Sequence, residues 1–206
     1  MGRIKSVIFD WGGVLIDNPA PGLMKYCAQA LGASEEDYIK AHSKFTMDFQ
    51  KGSISEDAFW GRICAELKTQ KPRVPSLWGD AFRFVYSPRA DMFSVVSTLH
   101  QNGYRTALLS NTEAPAMLFF HQLRYNMFDV VVFSCAAGTR KPERKIYELT
   151  IEKLGSQPAQ SVFVDNKPEY VNGAKETGLT AVLFESIDQV KNELDRFGVR
   201  TSVNRK

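Results

Sequence analysis

Polar residues follow four short apolar runs in this 206-residue chain. They are Asp10, Ser110 with Asn111, Lys141, and Asp165 with Asn166. A carboxylate in such a place can act as a nucleophile or as a metal ligand. Each group alone has an ordinary explanation, such as a turn, a helix cap or a surface charge. Four such polar groups, each following a different apolar run, indicate one shared site if the fold brings the ends of those runs together.

The apolar runs predict the fold that would do so. Five runs rich in β-branched residues predict buried parallel strands at 6–10, 105–110, 130–134, 161–165 and 180–184. Helical patterns at 88–101, 113–124, 142–154, 168–177 and 187–197 alternate with them. This alternation predicts an α/β protein with a doubly wound, Rossmann-like parallel sheet. Ligands of such sheets bind at the carboxyl ends of the strands, where the polar groups would meet.

A long segment between the first two strands has a different pattern. Residues 18–86 contain no convincing strand, and helical patterns occur at 22–31, 35–50, 56–67 and 78–85. Most of their many aromatic residues are expected to form a core of their own, with one or two facing the cleft. Ser34 and Ser53 are predicted N-caps, and Ser53 with Glu56 has the capping-box spacing. We predict an α/β core of residues 1–17 plus 87–206 and an all-helical cap of residues 18–86.

Composition limits the classes of partner and compartment. The net charge of +3 is small and its basic residues are scattered, which disfavours a nucleic-acid partner. The three cysteines include no close-spaced pair, as is typical of a reducing compartment. No apolar run reaches the ~18 residues of a membrane span, and none before Asp10 resembles a secretory signal. We expect a cytoplasmic protein without a membrane partner, either a monomer or a homodimer.

Four stretches resemble the motifs of the haloacid dehalogenase-like (HAD-like) hydrolase superfamily, in the same order. They are Phe-Asp10-Trp-Gly-Gly-Val-Leu, Leu-Ser110-Asn, Arg-Lys141-Pro and Phe-Val-Asp165-Asn…Gly173-Ala. The resemblance covers nearly the whole chain, and residues 18–86 match the helical cap of that family in position and type. Gly12 and the run Gly52-x-Ile54-Ser55-x-x-x-Phe59 are similar to bacterial alpha-glucose-1-phosphate phosphatase-type members.

The resemblance implies a magnesium-dependent phosphatase that acts on a small phosphorylated metabolite. Asp10 would attack phosphorus and form an aspartyl-phosphate, while Lys141 would neutralise the nucleophile and the phosphate. Ser110 and the main-chain amide of Asn111 would bind phosphate oxygens, with Lys141 beside them. The implied Mg²⁺ ligands are Asp10, the main-chain carbonyl of Gly12, Asp165 and Asn166.

Two residues depart from the family pattern. Gly12 stands where many of these phosphatases carry the aspartate that protonates the leaving oxygen, a function typically contributing about 10²–10⁴ in rate. Its absence favours substrates with an easier leaving group, and a sugar phosphate is our first expectation. Asn166 stands where a second acid is usual, so we expect weaker binding of the metal because ligand charge tunes affinity.

These departures leave two alternatives open. The first is a catalytically degenerate member that binds a phosphorylated ligand without cleaving it. The retention of Asp10, Ser110, Lys141 and Asp165 argues against this alternative. The second is a 2-haloacid dehalogenase, which uses the same aspartate on carbon without a metal. The residues at Gly12, Asp165 and Tyr170 differ from that branch, which makes it the less favoured of the two.

Overall fold

The computed structural model describes residues 3–202, whose strands form one parallel sheet in the order β3-β2-β1-β4-β5. The strands are β1 (Ser6–Phe9), β2 (Arg105–Ser110), β3 (Val130–Phe133), β4 (Ser161–Asp165) and β5 (Thr180–Leu183). All residues of the central strand β1 are buried, as expected for a strand covered on both faces. The predicted doubly wound α/β fold is confirmed.

Helices cover the sheet and fill the segment between its first two strands. They are α1 (Ala20–Ala30), α2 (Glu35–Gln50), α3 (Glu56–Leu67), α4 (Leu77–Val85), α5 (Ala90–Gln101), α6 (Ala114–Gln122), α7 (Ser134–Ala137), α8 (Arg144–Leu154), α9 (Pro168–Glu176) and α10 (Ile187–Arg196). The sequence did not predict α7 or the 3₁₀ turn Pro158–Gln160, because elements of three or four residues show no helical period. Within residues 3–202, every helix is too short or too polar to cross a membrane.

The register of the sheet places the predicted site residues at one edge. Phe9, the last residue of β1, pairs with Leu108 on one side and Val164 on the other. The next residue, Asp10, still donates its main-chain N–H to the carbonyl of Val164 at 2.9 Å. Asp10 therefore leaves the sheet level with the ends of β2 and β4, which carry Ser110 and Asp165.

The helices α1 to α4 enclose a core of stacked aromatic rings. The centroids of Phe49 and Phe59 lie 4.4 Å apart, and those of Phe59 and Trp60 lie 5.0 Å apart. Trp78 packs edge-on against Phe59 at 5.9 Å. The expectation that most aromatics of this segment pack together is confirmed, with Phe84 at 76% exposure as a clear exception.

The chain enters and leaves this segment at adjacent points. The main-chain N–H of Asp17 donates to the carbonyl of Ser87 at 2.9 Å. The Asp17 carboxylate also accepts hydrogen bonds from the Ser87 hydroxyl at 2.7 Å and from Nε of Arg89 at 3.0 Å. The division into residues 18–86 and residues 1–17 plus 87–206 stays a prediction, and this paired crossing supports it.

The two predicted N-caps have different outcomes. The hydroxyl of Ser34 accepts a hydrogen bond from the main-chain N–H of Asp37 at 3.1 Å, as predicted for α2. The prediction for Ser53 was wrong: α3 begins at Glu56, as predicted, but its cap lies two residues after Ser53. Its N-cap is Ser55, whose hydroxyl accepts from the N–H of Ala58 at 3.2 Å.

Glu56 explains why the predicted capping box does not form. Its carboxylate turns toward α4 and accepts from the hydroxyl of Ser76 at 2.7 Å and from the N–H of Trp78 at 2.8 Å. It also accepts from the indole N–H of Trp60 at 3.0 Å. A tertiary contact with the next helix has therefore replaced the local bond that the spacing indicated.

We expect Ser55→Ala to lower the free energy of unfolding by about 1 kcal/mol, because the first turn of α3 loses its side-chain acceptor. Ser53→Ala is the matched control and should leave the free energy of unfolding unchanged. Urea unfolding followed by circular dichroism measures both variants. Equal losses in the two variants would show that the cap does not lie at Ser55.

Candidate active site

The centre of the site is the ammonium group of Lys141, which is completely buried. Its Nζ lies 2.7 Å from Oδ1 of Asp10 and 2.6 Å from Oδ2 of Asp165. It also donates to the main-chain carbonyl of Leu109 at 3.1 Å. The three partners match the three N–H donors of an ammonium group. The sequence-predicted residues Asp10, Lys141 and Asp165 are therefore in direct contact.

Burial and charge act against each other at this ion cluster. Burial lowers the pKa of an amine, but the attraction of Asp10 and Asp165 outweighs it, so the pKa of Lys141 is raised. Burial raises the pKa of Asp165 to about 6, repulsion from Asp10 adds to this rise, and Lys141 opposes it. Two carboxylates share one ammonium, which leaves this edge of the sheet with an excess of negative charge when both are ionised.

Asn111 has a role that sequence reasoning missed. Its Oδ1 accepts from the main-chain N–H of Lys141 at 2.8 Å, and its Nδ2 donates to the carbonyl of the same residue at 2.9 Å. The side chain thus fixes the backbone of Lys141 from both directions. The prediction from the sequence concerned only the main-chain amide of Asn111, and residue type alone does not reveal a partner thirty positions away.

Ser110 lies at the end of β2 and lines the same cavity as Asp10 and Lys141. Its hydroxyl oxygen accepts a hydrogen bond from the hydroxyl of Thr112 at 2.7 Å. The hydroxyl hydrogen of Ser110 therefore remains available for an acceptor in the cavity. A phosphate oxygen is an acceptor of the required kind.

The residues predicted to hold Mg²⁺ surround the turn after β1. Gly13 has a φ of +90°, and a Cβ on this residue would lie 2.7 Å from Cγ of Asn166, so only glycine fits beneath that amide. Oδ1 of Asn166 is buried and has no hydrogen-bond partner. An unsatisfied buried oxygen that lies against the turn after Asp10 and directly follows Asp165 in the chain suits a hard cation that prefers oxygen ligands.

The metal-ligand set contains few charges. Across residues 3–202, no group of three or more His, Cys, Asp or Glu side chains is arranged to hold a metal ion. A magnesium ion would depend on two carboxylates, Asp10 and Asp165, together with the neutral oxygens of Asn166 and Gly12. These donors are all oxygens, which a hard cation prefers, and their low total charge is the reason for the weaker affinity that we expect.

A cavity of about 320 Å³ lies above the ion cluster. Its lower wall carries Asp10, Ser110, Asn111 and Lys141, whereas Asp165 and Asn166 are not among its lining residues. Its upper wall comes from α1, α2 and α4, whose lining residues are Leu23, Met24, His42, Thr46, Gln50, Trp78 and Phe82. Burial lowers the pKa of His42 to about 4, so its imidazole is neutral near pH 7 and stacks on Trp78. Two aromatic rings of this segment, Trp78 and Phe82, line the cleft.

Glu113 is a buried lining residue that is absent from the set of site residues predicted from the sequence. Glu113 is only 6% exposed, and this burial raises the pKa of its carboxyl group. Oε1 accepts from Nε2 of Gln50 at 3.0 Å, and Oε2 accepts from the indole N–H of Trp78 at 3.1 Å. The signal available in the sequence was its position, three residues after Ser110 and at the start of the next helix.

Asp10 thus lies at the end of the first parallel strand and pairs with a buried lysine beneath a helical segment. The comparison with protein families agrees with the geometry. The chain belongs to the haloacid dehalogenase-like hydrolase family, whose model matches residues 4–178.

Known proteins resemble the chain to different extents. It is 28% identical over 204 residues to acyl-CoA dehydrogenase family member 10 of Mus musculus, covering 93% of this chain but only 19% of that protein. It is 27% identical over 184 residues to the sesquiterpene phosphatase astK of Aspergillus oryzae, covering 86% of this chain and 88% of the relative. A HAD-family enzyme of Bacteroides thetaiotaomicron, in complex with magnesium and inorganic phosphate, shares the fold. Its TM-score is 0.72 at 20% identity, over 91% of this chain and 98% of that one.

We expect Lys141→Met to lower the free energy of unfolding by about 3–5 kcal/mol at pH 7.5, because two buried carboxylates lose their counter-charge. The loss should be smaller at pH 5. A raised pKa means that the folded state binds a proton more tightly than the unfolded state, so protonation of Asp165 stabilises the folded variant as pH falls. Urea unfolding at both pH values measures the effect.

The exposed residue Lys145 on α8 provides the matched control for this substitution. Lys145→Met should unfold like the wild type at both pH values. A loss in Lys141→Met that is equally large at pH 5 and pH 7.5 would contradict the electrostatic explanation.

Proposed function

We propose that this hydrolase is a magnesium-dependent phosphatase that cleaves a small phosphate monoester through an aspartyl-phosphate on Asp10. The observation that carries the proposal is the buried contact of Lys141 with Asp10 and Asp165 at the floor of the cavity. The ammonium group lies against one carboxylate oxygen of Asp10, and a carboxylate is the nucleophile that this reaction needs. The resemblance to a relative named as a phosphatase supports the same reaction.

The polar floor of the cavity suits each part of that reaction. Asp10 forms a bond to phosphorus while the bond to the ester oxygen breaks, and water later releases the phosphate from Asp10. Lys141 offsets the negative charge that the phosphate brings to a site already holding two carboxylates. The free hydroxyl hydrogen of Ser110 and the main-chain amide of Asn111, near the start of α6, would bind phosphate oxygens.

Magnesium would be held by Asp10, Asp165, the carbonyl of Gly12 and the unpaired Oδ1 of Asn166. When bound, it neutralises charge on the transferring phosphoryl group. The neighbour crystallised with magnesium and inorganic phosphate has the same fold, which supports this choice of cation.

Two substrate classes follow from different observations. A sugar phosphate is our first candidate, because Gly12 favours an easy leaving group such as a sugar 1-phosphate. An ester with an apolar organic group is the second, because Leu23, Met24 and Phe82 line the upper wall of the cavity. The relative named as a sesquiterpene phosphatase supports the second class.

We expect the wild type to release inorganic phosphate from at least one member of a panel of sugar, acyl and prenyl phosphates. Release should require magnesium and stop with a chelator. Asp10→Asn should show no detectable turnover, because the amide keeps the shape of the side chain but cannot attack phosphorus. Asp188→Asn, on the exposed face of α10, is the control and should behave like the wild type.

Two results would argue against this proposal. Turnover by folded Asp10→Asn would show that another group is the nucleophile. Tight binding of phosphate esters by the wild type without release from any of them would favour the degenerate binding protein instead.

We expect Asn166→Asp to bind Mg²⁺ roughly tenfold more tightly, because an added carboxylate increases the negative charge of the ligand set. Isothermal titration calorimetry of the protein with MgCl₂ measures this affinity without reference to activity. Asn172→Asp, on the exposed side of α9, adds the same charge outside the site and is the matched control. The same affinity in both variants would show that Asn166 does not face the metal.

A further inference from the structure

The proposed reaction includes a proton transfer to the leaving group. None of the residues proposed so far, which act as nucleophile, phosphate ligands or metal ligands, donates that proton. The ester oxygen must gain a proton as it leaves, and Gly12 has no side chain to provide one. A Cβ on Gly12 would lie 3.2 Å from Cδ of Pro19, which begins the entry into α1. A side chain at position 12 would press against this proline ring, and the proton donor that Gly12 lacks has to come from elsewhere in the cavity wall.

Glu113 is a carboxyl group placed for this task. It lines the same cavity as Asp10, Ser110 and Lys141, and it follows the phosphate-binding end of β2 by three residues. Each of its oxygens accepts one hydrogen bond from the helical segment above, Oε1 from Gln50 and Oε2 from Trp78. Because these donors fix the orientation of the carboxyl group and use only one lone pair of each oxygen, a proton can still be directed into the cavity.

The surroundings of Glu113 favour its protonated form. Burial raises the pKa of Glu113, and the hydrogen bonds from Gln50 and Trp78 and the charge of Arg140 oppose the rise without cancelling it. Burial also raises the pKa of the Cys27 thiol to about 12 and that of Cys135 to about 11. These thiols therefore stay neutral near pH 7.

Two further groups complete this environment. Burial raises the pKa of the Tyr38 phenol, which stays neutral, and the low pKa of His42 leaves its imidazole uncharged. Arg140, which lines the same cavity, is a charged group that acts on Glu113 and lowers its pKa. A carboxyl group in such a setting can hold a proton at a pH where an exposed glutamate has lost it, as a general acid requires.

We propose that Glu113 is the general acid and base of this enzyme and performs the proton transfer for which position 12 has no side chain. The inference rests on the proposed phosphatase function. As Asp10 forms its bond to phosphorus, the ester bond breaks and the leaving oxygen takes the proton from Glu113. The Glu113 carboxylate then takes a proton from water, whose oxygen bonds to phosphorus. The bond from phosphorus to Asp10 breaks, phosphate leaves, and Glu113 is protonated again.

The test compares leaving groups that differ in their need for a proton. Phenyl phosphate releases a basic phenolate, whereas p-nitrophenyl phosphate releases a stabilised one. In Glu113→Gln, kcat/KM for phenyl phosphate should fall by about 10²–10⁴, the usual range for loss of a general acid, and should change little for p-nitrophenyl phosphate. In the same variant, hydrolysis of the phosphoenzyme should be slow, because no carboxylate takes the proton from the attacking water. The reaction should therefore show an initial burst of p-nitrophenol. Intact-protein mass spectrometry after an acid quench should detect the phosphoenzyme.

A second variant keeps the carboxyl group and changes only its pKa. Gln50→Met removes a hydrogen bond that stabilises the charged form, so the pKa of Glu113 should rise further. The alkaline limb of kcat/KM for phenyl phosphate should move to higher pH in this variant. In Glu113→Gln the limb should be absent.

Lys51→Met provides the matched control, because it removes a neighbouring contact of the same segment. Nζ of Lys51 pairs with Oε1 of Glu143 at 2.6 Å and does not touch Glu113. This variant should keep both the leaving-group dependence and the pH profile of the wild type. A shift equal to that of Gln50→Met would overturn the proposal, since it would then reflect loosening of the segment.

The remaining outcomes are distinguishable. If Glu113→Gln loses the same factor of kcat/KM with both esters, Glu113 only positions the upper wall, and the proposal fails while the phosphatase function stands. If the wild type hydrolyses neither ester nor any member of the wider panel, the phosphatase function itself fails and the proposal falls with it.

Discussion

The completely buried ammonium group of Lys141 is the constraint on which the site depends. A charge removed from water needs close partners of opposite sign, and Lys141 has two carboxylates and a main-chain carbonyl. Asp10 follows β1, Asp165 ends β4, and Leu109 belongs to β2. One ammonium group therefore ties together the carboxyl ends of the three central strands, and its own backbone is held by Asn111.

The floor of the cavity is polar, and its upper wall is largely apolar. Ionised groups lie at the floor, where the sheet ends, and apolar side chains from α1 and α4 lie opposite. Gln50 belongs to both regions, because its side chain donates to Glu113 and its carbonyl accepts from the hydroxyl of Ser134 at 2.6 Å. The end of α2 is therefore fixed to the core beside the reacting groups, and α2 supplies part of the upper wall of the cavity.

Glu56 and Asn111 show where local reasoning fails and why. A capping box was expected at Ser53 and Glu56, yet the Glu56 carboxylate accepts three hydrogen bonds from Trp60, Ser76 and Trp78. The side chain of Asn111 bonds to the backbone of Lys141 and not to its own neighbours. In both places, partners from elsewhere in the fold satisfy the hydrogen-bonding atoms of the side chain more fully than the local bond that the spacing indicated.

The sequence by itself determined the alternation of strands and helices, the helical segment between β1 and β2, and the polar residue types at the strand ends. These features follow from apolar periodicity and turn residues, which act over a few neighbouring positions. The tertiary structure decided which of these groups touch one another directly, and which groups outside the predicted set join them. Glu113 and Gln50 are 63 positions apart, and Lys141 and Asp165 are 24 apart. Their pairing, and the pKa values that result, depend on burial and distance, which exist only once the layers have packed.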